Sequence, residues 1–193
     1  MYKQCQTEKS AARQRQLEQG LLQVMLKKHY DEISVSDLCE ELQIPRKSFY
    51  RYFSSKDGAL FALIDQTLMD YDVQTTRLEF DDYRTPLQYM TGVFDYWMNC
   101  KPLLDALKRS DLSGLLVQRA LDLSKELDTI PSFMQITHRR LREYGTLFTV
   151  CGLMTRIVQW HHDGFCESAE EMARLSIELF SKPLFFINGE PNG

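Results

Sequence analysis

The residues best suited to chemistry sit close together early in the chain. Arg46, Lys47, Ser48, Tyr50 and Arg51 directly follow Pro45. Pro45 lacks an N–H and fixes φ, so it can only begin a helix. At the N-terminal end of that helix, Arg46 and Lys47 are placed to meet base edges. A guanidinium offers a two-pronged donor to guanine O6 and N7, and an ammonium can donate to the same atoms. Ser48 and Tyr50 can reach a phosphate or a thymine methyl. Phe49 and Phe53 share the other face and are expected in a core.

Other chemistries have weaker support. The cysteines are Cys5, Cys39, Cys100, Cys151 and Cys166, widely spaced and without a C-x-x-C pair. A zinc site or a disulfide framework is not expected; reduced thiols buried as small apolar residues in a cytosol are. His161 and His162 are adjacent and diverge by about 100° on a helix, so they do not share a metal easily, and His138 is isolated. No Ser/His/Asp or Cys/His set has a recognisable spacing. Neither a catalytic centre, a metal site nor a cofactor is expected.

The basic helix needs elements to hold it. Residues 13–28 read as a helix with Leu17, Leu21 and Val24 or Met25 on one stripe. Ser34 can cap the next helix, because its hydroxyl can accept from the N–H of Asp37. Val35, Leu38 and Leu42 are the buried side of that helix. Gln43, Ile44 and Pro45 make a tight turn, and the basic helix spans 45–52. Ser54 and Asp57 look like a capping pair for a further helix that runs to about 75. Two short helices joined by a tight turn, the second polar and basic outside, spell a helix-turn-helix.

At this point residues 13–64 resemble the DNA-binding domain of TetR-family transcriptional regulators. The motif stands here as Ile33, Ser34, Val35, Ser36, Asp37 and Leu38, then the run from Ile44 through Phe53, then Ser55, Lys56 and Asp57. The resemblance implies that Tyr50, Tyr52 and Lys56 lie against phosphates, with Ser34 doing the same at the start of the preceding helix. Two departures stand out. The turn position usually held by Gly is Gln43, which must tolerate positive φ or reshape the turn. The small residue usual in the recognition helix is Lys47.

Charge is divided in the same sense. Residues 1–56 hold ten Lys/Arg against seven Asp/Glu, or +3; the rest hold thirteen against twenty, or −7, for the net −4. A basic module joined to an acidic body suits an appended nucleic-acid reader. Lys3, Lys9, Arg13 and Arg15 could track the DNA backbone or a minor groove, with a disordered basic tail as the alternative. Residues 1–10 contain no apolar run, so no signal peptide is expected, and no stretch of about 18 apolar residues suggests a membrane span.

The remainder reads as helices over 86–101, 102–109, 112–127, 132–143, 144–162 and 168–181, the last capped by Ser168 and Glu171. Asp163 and Gly164 end the long apolar helix, and the tail beyond Phe186 reads as loose. Tyr89, Phe94, Trp97, Met98, Leu103, Leu107, Leu116, Met134 and Phe148 could line an apolar pocket, with plain core as the alternative. Gly152 interrupts an apolar helix at a cost of about 1 kcal/mol relative to Ala. Close approach of a second helix explains it, from a partner subunit or from within one. With Leu153, Ile157, Trp160, Leu175 and Leu179 it would build an intersubunit four-helix bundle. The resemblance extends more weakly to Phe148, Gly152, Trp160 and Gly164 followed by 168–179, which look like the paired C-terminal helices of such regulators.

The expected protein is therefore all-α. A helix-turn-helix domain occupies 1–56, a helix over 57–75 connects, and a helical effector-binding and dimerisation domain occupies 76–193. The expected function is a ligand-responsive repressor that binds a palindromic operator in double-stranded DNA as a cytoplasmic homodimer, with a small apolar or aromatic effector. The alternative is a TetR-like coactivator or interaction scaffold that answers to a protein partner.

Overall fold

The computed structural model describes residues 7–79, 85–126 and 139–181. Among them the regular elements are helices, and no strand is present. The first, α1 (Glu8–Met25), is capped by Thr7, whose Oγ1 accepts from Ser10 N at 3.2 Å. It starts before the expected position 13, so Lys9, Arg13 and Arg15 ride on its exposed side. A 3-10 turn (Tyr30–Glu32) leads to α2 (Val35–Glu41) and α3 (Arg46–Tyr50). Leu17, Leu21, Met25, Leu38, Phe49 and Phe53 form the core beneath these helices. Gly20 has a reason that the pattern of apolar residues did not show. A Cβ there would lie 2.6 Å from Leu42 Cδ1 and 3.0 Å from its Cγ, so the Leu42 side chain at the end of α2 occupies the space that a side chain at position 20 would need.

The fourth helix, α4 (Lys56–Glu79), is capped differently from the expected pairing. Ser55 Oγ, not Ser54, accepts from Gly58 N at 3.1 Å. It is continuous through positions 75 and 76, tying the first three helices to the body without a break. It packs on α1 and, in the body, on α5 (Pro86–Asn99) and α7 (Ser113–Glu126). Buried Asp65 on α4 takes a two-pronged bond from Arg119 of α7, at 2.7 and 2.5 Å. Arg119 also lies 5.3 Å from the Phe61 ring centroid.

Between them comes α6 (Lys101–Arg109), whose apolar side is Leu103, Leu104, Ala106 and Leu107. Helix α8 (Arg139–His162) is one continuous helix and does not begin at 144; positions 127–138, including Met134, lie outside the described residues. Gly164, at φ +82, ends the α8 region in the left-handed conformation that favours glycine. The cap of α9 (Ala169–Ser181) is the expected one: Ser168 N donates to Glu171 Oε2 at 2.7 Å, and Glu171 N donates to Ser168 Oγ at 3.3 Å. The tail from 182 lies outside the described residues. Helix α9 packs along α5, and α8 packs along α7. Among the described residues no helix is long and apolar enough to cross a membrane.

Candidate nucleic-acid interface

Helix α3 is five residues long and stays in place because its underside is pinned. Phe49 is fully buried, 5.3 Å from the Phe53 ring and edge-on to Tyr50 at 5.6 Å. Gln43 does adopt positive φ, at 51°, and the turn closes with Ile44 N donating to Cys39 O at 2.9 Å. Pro45 is the N-cap, one position outside the helix it was expected to begin. This leaves Arg46, Lys47, Tyr50 and Arg51 exposed and Ser48 half-buried on one short surface. Such a surface offers several donors and no carboxylate of its own.

Three expected phosphate contacts are placed otherwise. Ser34 caps α2 in a complete capping box: its hydroxyl accepts from Asp37 N at 3.1 Å and donates to Asp37 Oδ2 at 2.7 Å. Its own N–H donates to the same carboxylate at 3.0 Å. Both donors are spent, so Ser34 has none for a phosphate while the box holds. These bonds also hold the Asp37 carboxyl below its ordinary range. Tyr52 is only 8% exposed, with the Arg51 guanidinium 6.0 Å from its ring centroid. Lys56 is half-buried; its Nζ donates to Tyr30 O at 2.6 Å and lies 4.0 Å from the Tyr30 ring centroid. Arg51, outside the expected contact set, belongs to the exposed surface instead.

In the body, Phe94, Trp97, Leu107 and Leu116 are buried and Tyr89 is partly so, but Met98 and Phe148 are exposed and do not face that interior. Helical spacing alone did not distinguish their sides. Trp97 stands edge-on to Tyr96 at 5.7 Å and 6.5 Å from Tyr71. The Tyr71 and Tyr89 hydroxyls are 3.4 Å apart. Trp97 Nε1 is buried and has no hydrogen-bond partner among the described residues. An indole N–H in that state asks for an explanation.

The expected seam is also redistributed. Ile157 and Trp160 are buried inside the subunit; Trp160 packs edge-on against Phe94 at 5.4 Å and Phe165 at 4.5 Å, and its Nε1 donates to Glu167 O at 3.1 Å. They cannot also form a surface between subunits. Leu153 is partly buried against the core. Gly152, Leu175 and Leu179 are exposed, as are Tyr144 (72%) and Phe148 (70%). Among the described residues a Cβ on Gly152 would meet nothing within 4 Å, so close packing against them does not explain that glycine.

Cys5 lies outside the described residues; of the others Cys39 is buried and Cys100 partly so, whereas Cys151 and Cys166 are exposed and do not serve as the buried apolar residues expected. Burial pushes the Cys100 thiol up to about 11. Buried His161 places Nε2 within hydrogen-bond reach of Asp105 Oδ1, at 2.7 Å. Among the described residues no cluster could hold a metal.

The family model for bacterial regulatory proteins of the tetR family matches residues 20–63. No curated protein sequence matches the chain. Solved structures share its fold at low identity. The dihydroxyacetone kinase operon activator DhaS is 14% identical with a TM-score of 0.53, over 88% of this chain and 94% of its own. A transcriptional regulator (TerR/AcrR family) from Aquifex aeolicus VF5 is 14% identical with a TM-score of 0.59, over 87% and 99%. The fatty acid degradation regulator FadR from Bacillus halodurans is 12% identical with a TM-score of 0.58, over 89% and 96%. The motif of α2 and α3 and the family match over them lead to one conclusion: residues 20–63 form a DNA-binding domain of the TetR-family type, on a chain that shares the overall fold of these solved regulators.

Proposed function

We propose that the chain is a homodimeric, ligand-responsive repressor whose two α3 helices enter successive major grooves of a roughly palindromic operator. The observation that carries this reading is the pinned, carboxylate-free face of α3, with Arg46 and Lys47 at its N-terminal end. Arg46 and Lys47 read base edges, while Ser48, Tyr50 and Arg51 position the helix on phosphates. The exposed apolar side chains of α8 and α9, with open Gly152 among them, supply the subunit seam: Tyr144, Phe148, Leu175 and Leu179. Two-fold pairing of one patch with itself then makes the operator palindromic.

The effector reading rests on the aromatic interior around Phe94 and Trp97. A small aromatic or apolar molecule carrying one hydrogen-bond acceptor would satisfy the Trp97 N–H. It would lower DNA affinity by its preference for the conformer with wrongly spaced heads. A gel shift on DNA upstream of the chain's own gene, with and without a compound library, tests this. A retarded band that no compound releases would remove the small-molecule part. The second reading, a protein effector, draws on Tyr144 and Phe148. If the purified chain is monomeric, those side chains face a different protein, and the coactivator or scaffold role takes precedence.

A further inference from the structure

Tyr30 lies in the 3-10 turn between α1 and α2, inside the DNA-reading head, and is buried. Its polar groups are engaged by the elements that join the head to the body. Its backbone N–H donates to Ser110 Oγ at 3.0 Å, a buried bond to the C-cap of α6, 80 positions away. Its carbonyl accepts from Lys56 Nζ at 2.6 Å, and its hydroxyl donates to Asp57 Oδ1 at 2.7 Å. Lys56 and Asp57 open α4. The Lys56 ammonium also covers the Tyr30 ring. Burial and the bond to Asp57 push the Tyr30 phenol well above its ordinary range, so it remains a donor. On the body side, α6 is held to α8 by the Asp105 contact with buried His161.

We infer that Tyr30, Ser110 and Lys56 form a latch that fixes the angle of the reading head on the body, and that Lys56 serves here instead of contacting phosphate. A rotation of the head breaks the Ser110 bond and leaves a buried N–H without a partner, which is strongly disfavoured. The three are positioning residues, and they set the separation of the two α3 helices in the pair. The inference rests on the paired-head reading above. It adds the residues through which the body dictates that spacing.

The test uses the full chain and an operator obtained by in vitro selection with the wild type. Affinities are measured for that operator, for the same operator with one base pair inserted between half-sites, and for a duplex with one half-site. Insertion shifts and rotates one site relative to the other, and the wild type should lose on the order of 10- to 100-fold. Ser110→Ala and Lys56→Met should lose less than about five-fold on insertion, while binding the single half-site within about two-fold of wild type. The salt slope of Lys56→Met should stay at the wild-type value, whereas loss of a phosphate contact flattens it by about one. A strict wild type with equally strict variants overturns the latch alone, as does a flattened slope for Lys56→Met. Equal loss on all three duplexes reduces Ser110 to a folding role and also overturns it. A wild type indifferent to spacing removes the paired-head reading, and the latch with it.

Discussion

Gly152 offers a perturbation whose two outcomes differ in sign. It lies mid-way along α8, exposed, and among the described residues an added Cβ meets nothing within 4 Å. In an isolated subunit, Gly152→Ala therefore gains about 1 kcal/mol of helix propensity with no steric cost. That gain raises Tm by about 2–4 °C for a chain of this size. At a two-fold seam the same methyl enters the partner's surface. Overpacking costs about 1–3 kcal/mol per site, and symmetry counts it twice. The propensity gain is common to free and paired subunits and cancels from association. The dimer Kd should therefore rise about 30-fold at the lower bound, a change of about 2 kcal/mol, and more for Gly152→Leu. Sedimentation equilibrium reads the Kd, and thermal unfolding over a concentration series reads the subunit's own gain at high dilution. An unchanged Kd with Tm raised equally at every concentration would refute the placement of Gly152 at the seam.

Arg46→Ala should relax preference at one operator position and cost about 1–3 kcal/mol, as read by competition among single-base operator variants. Asp65→Ala, which removes the two-pronged acceptor of Arg119 while leaving Asp122 3.8 Å from its guanidinium, should cost about 1.5–3 kcal/mol in urea unfolding. Burial raises the Glu18 carboxyl above its ordinary range, against the bond from Gln14 and the charge of Arg15. The folded state then holds a proton that the unfolded state releases, so stability falls as pH rises through the raised value. Glu18→Gln should remove that slope and raise Tm at neutral pH; a lower Tm there would contradict the burial argument. Trp97→Phe removes the unpartnered N–H while leaving a smaller ring in the core, and should weaken any effector that quenches Trp97 fluorescence. Equal effector affinity in the two proteins would dismiss the indole as its donor.

What the sequence revealed divides along the range of the interactions. The Ser34–Asp37 box, the Gln43 turn, the inward Phe49 and Phe53 and the Ser168–Glu171 cap all lie within a few residues, where side-chain type and spacing carry the information. Even there the start of α4 was displaced by one serine, because Ser54 and Ser55 are alike in type and only the backbone decides which one caps. The seam was harder. Periodicity shows that Ile157 and Trp160 lie on an apolar face, but not whether Phe94 and Phe165 or a second subunit cover it. Met98 and Phe148 share the helical spacing of the interior residues, and the structure leaves both outside. Tyr30 and Ser110 are linked through a backbone N–H, which no side-chain pattern reports. Lys56 was assigned by motif to a phosphate, whereas its nearest acceptor belongs to its own chain.

The central claim is that α3 reads DNA in pairs. In vitro selection from a random duplex library, with wild-type protein and Arg46→Ala in parallel, tests it most directly. The wild type should enrich two inverted half-sites with centres about one helical turn or a multiple apart, and Arg46→Ala should lose preference at one symmetric position in each. No enriched sequence, or an identical motif from both proteins, would contradict it.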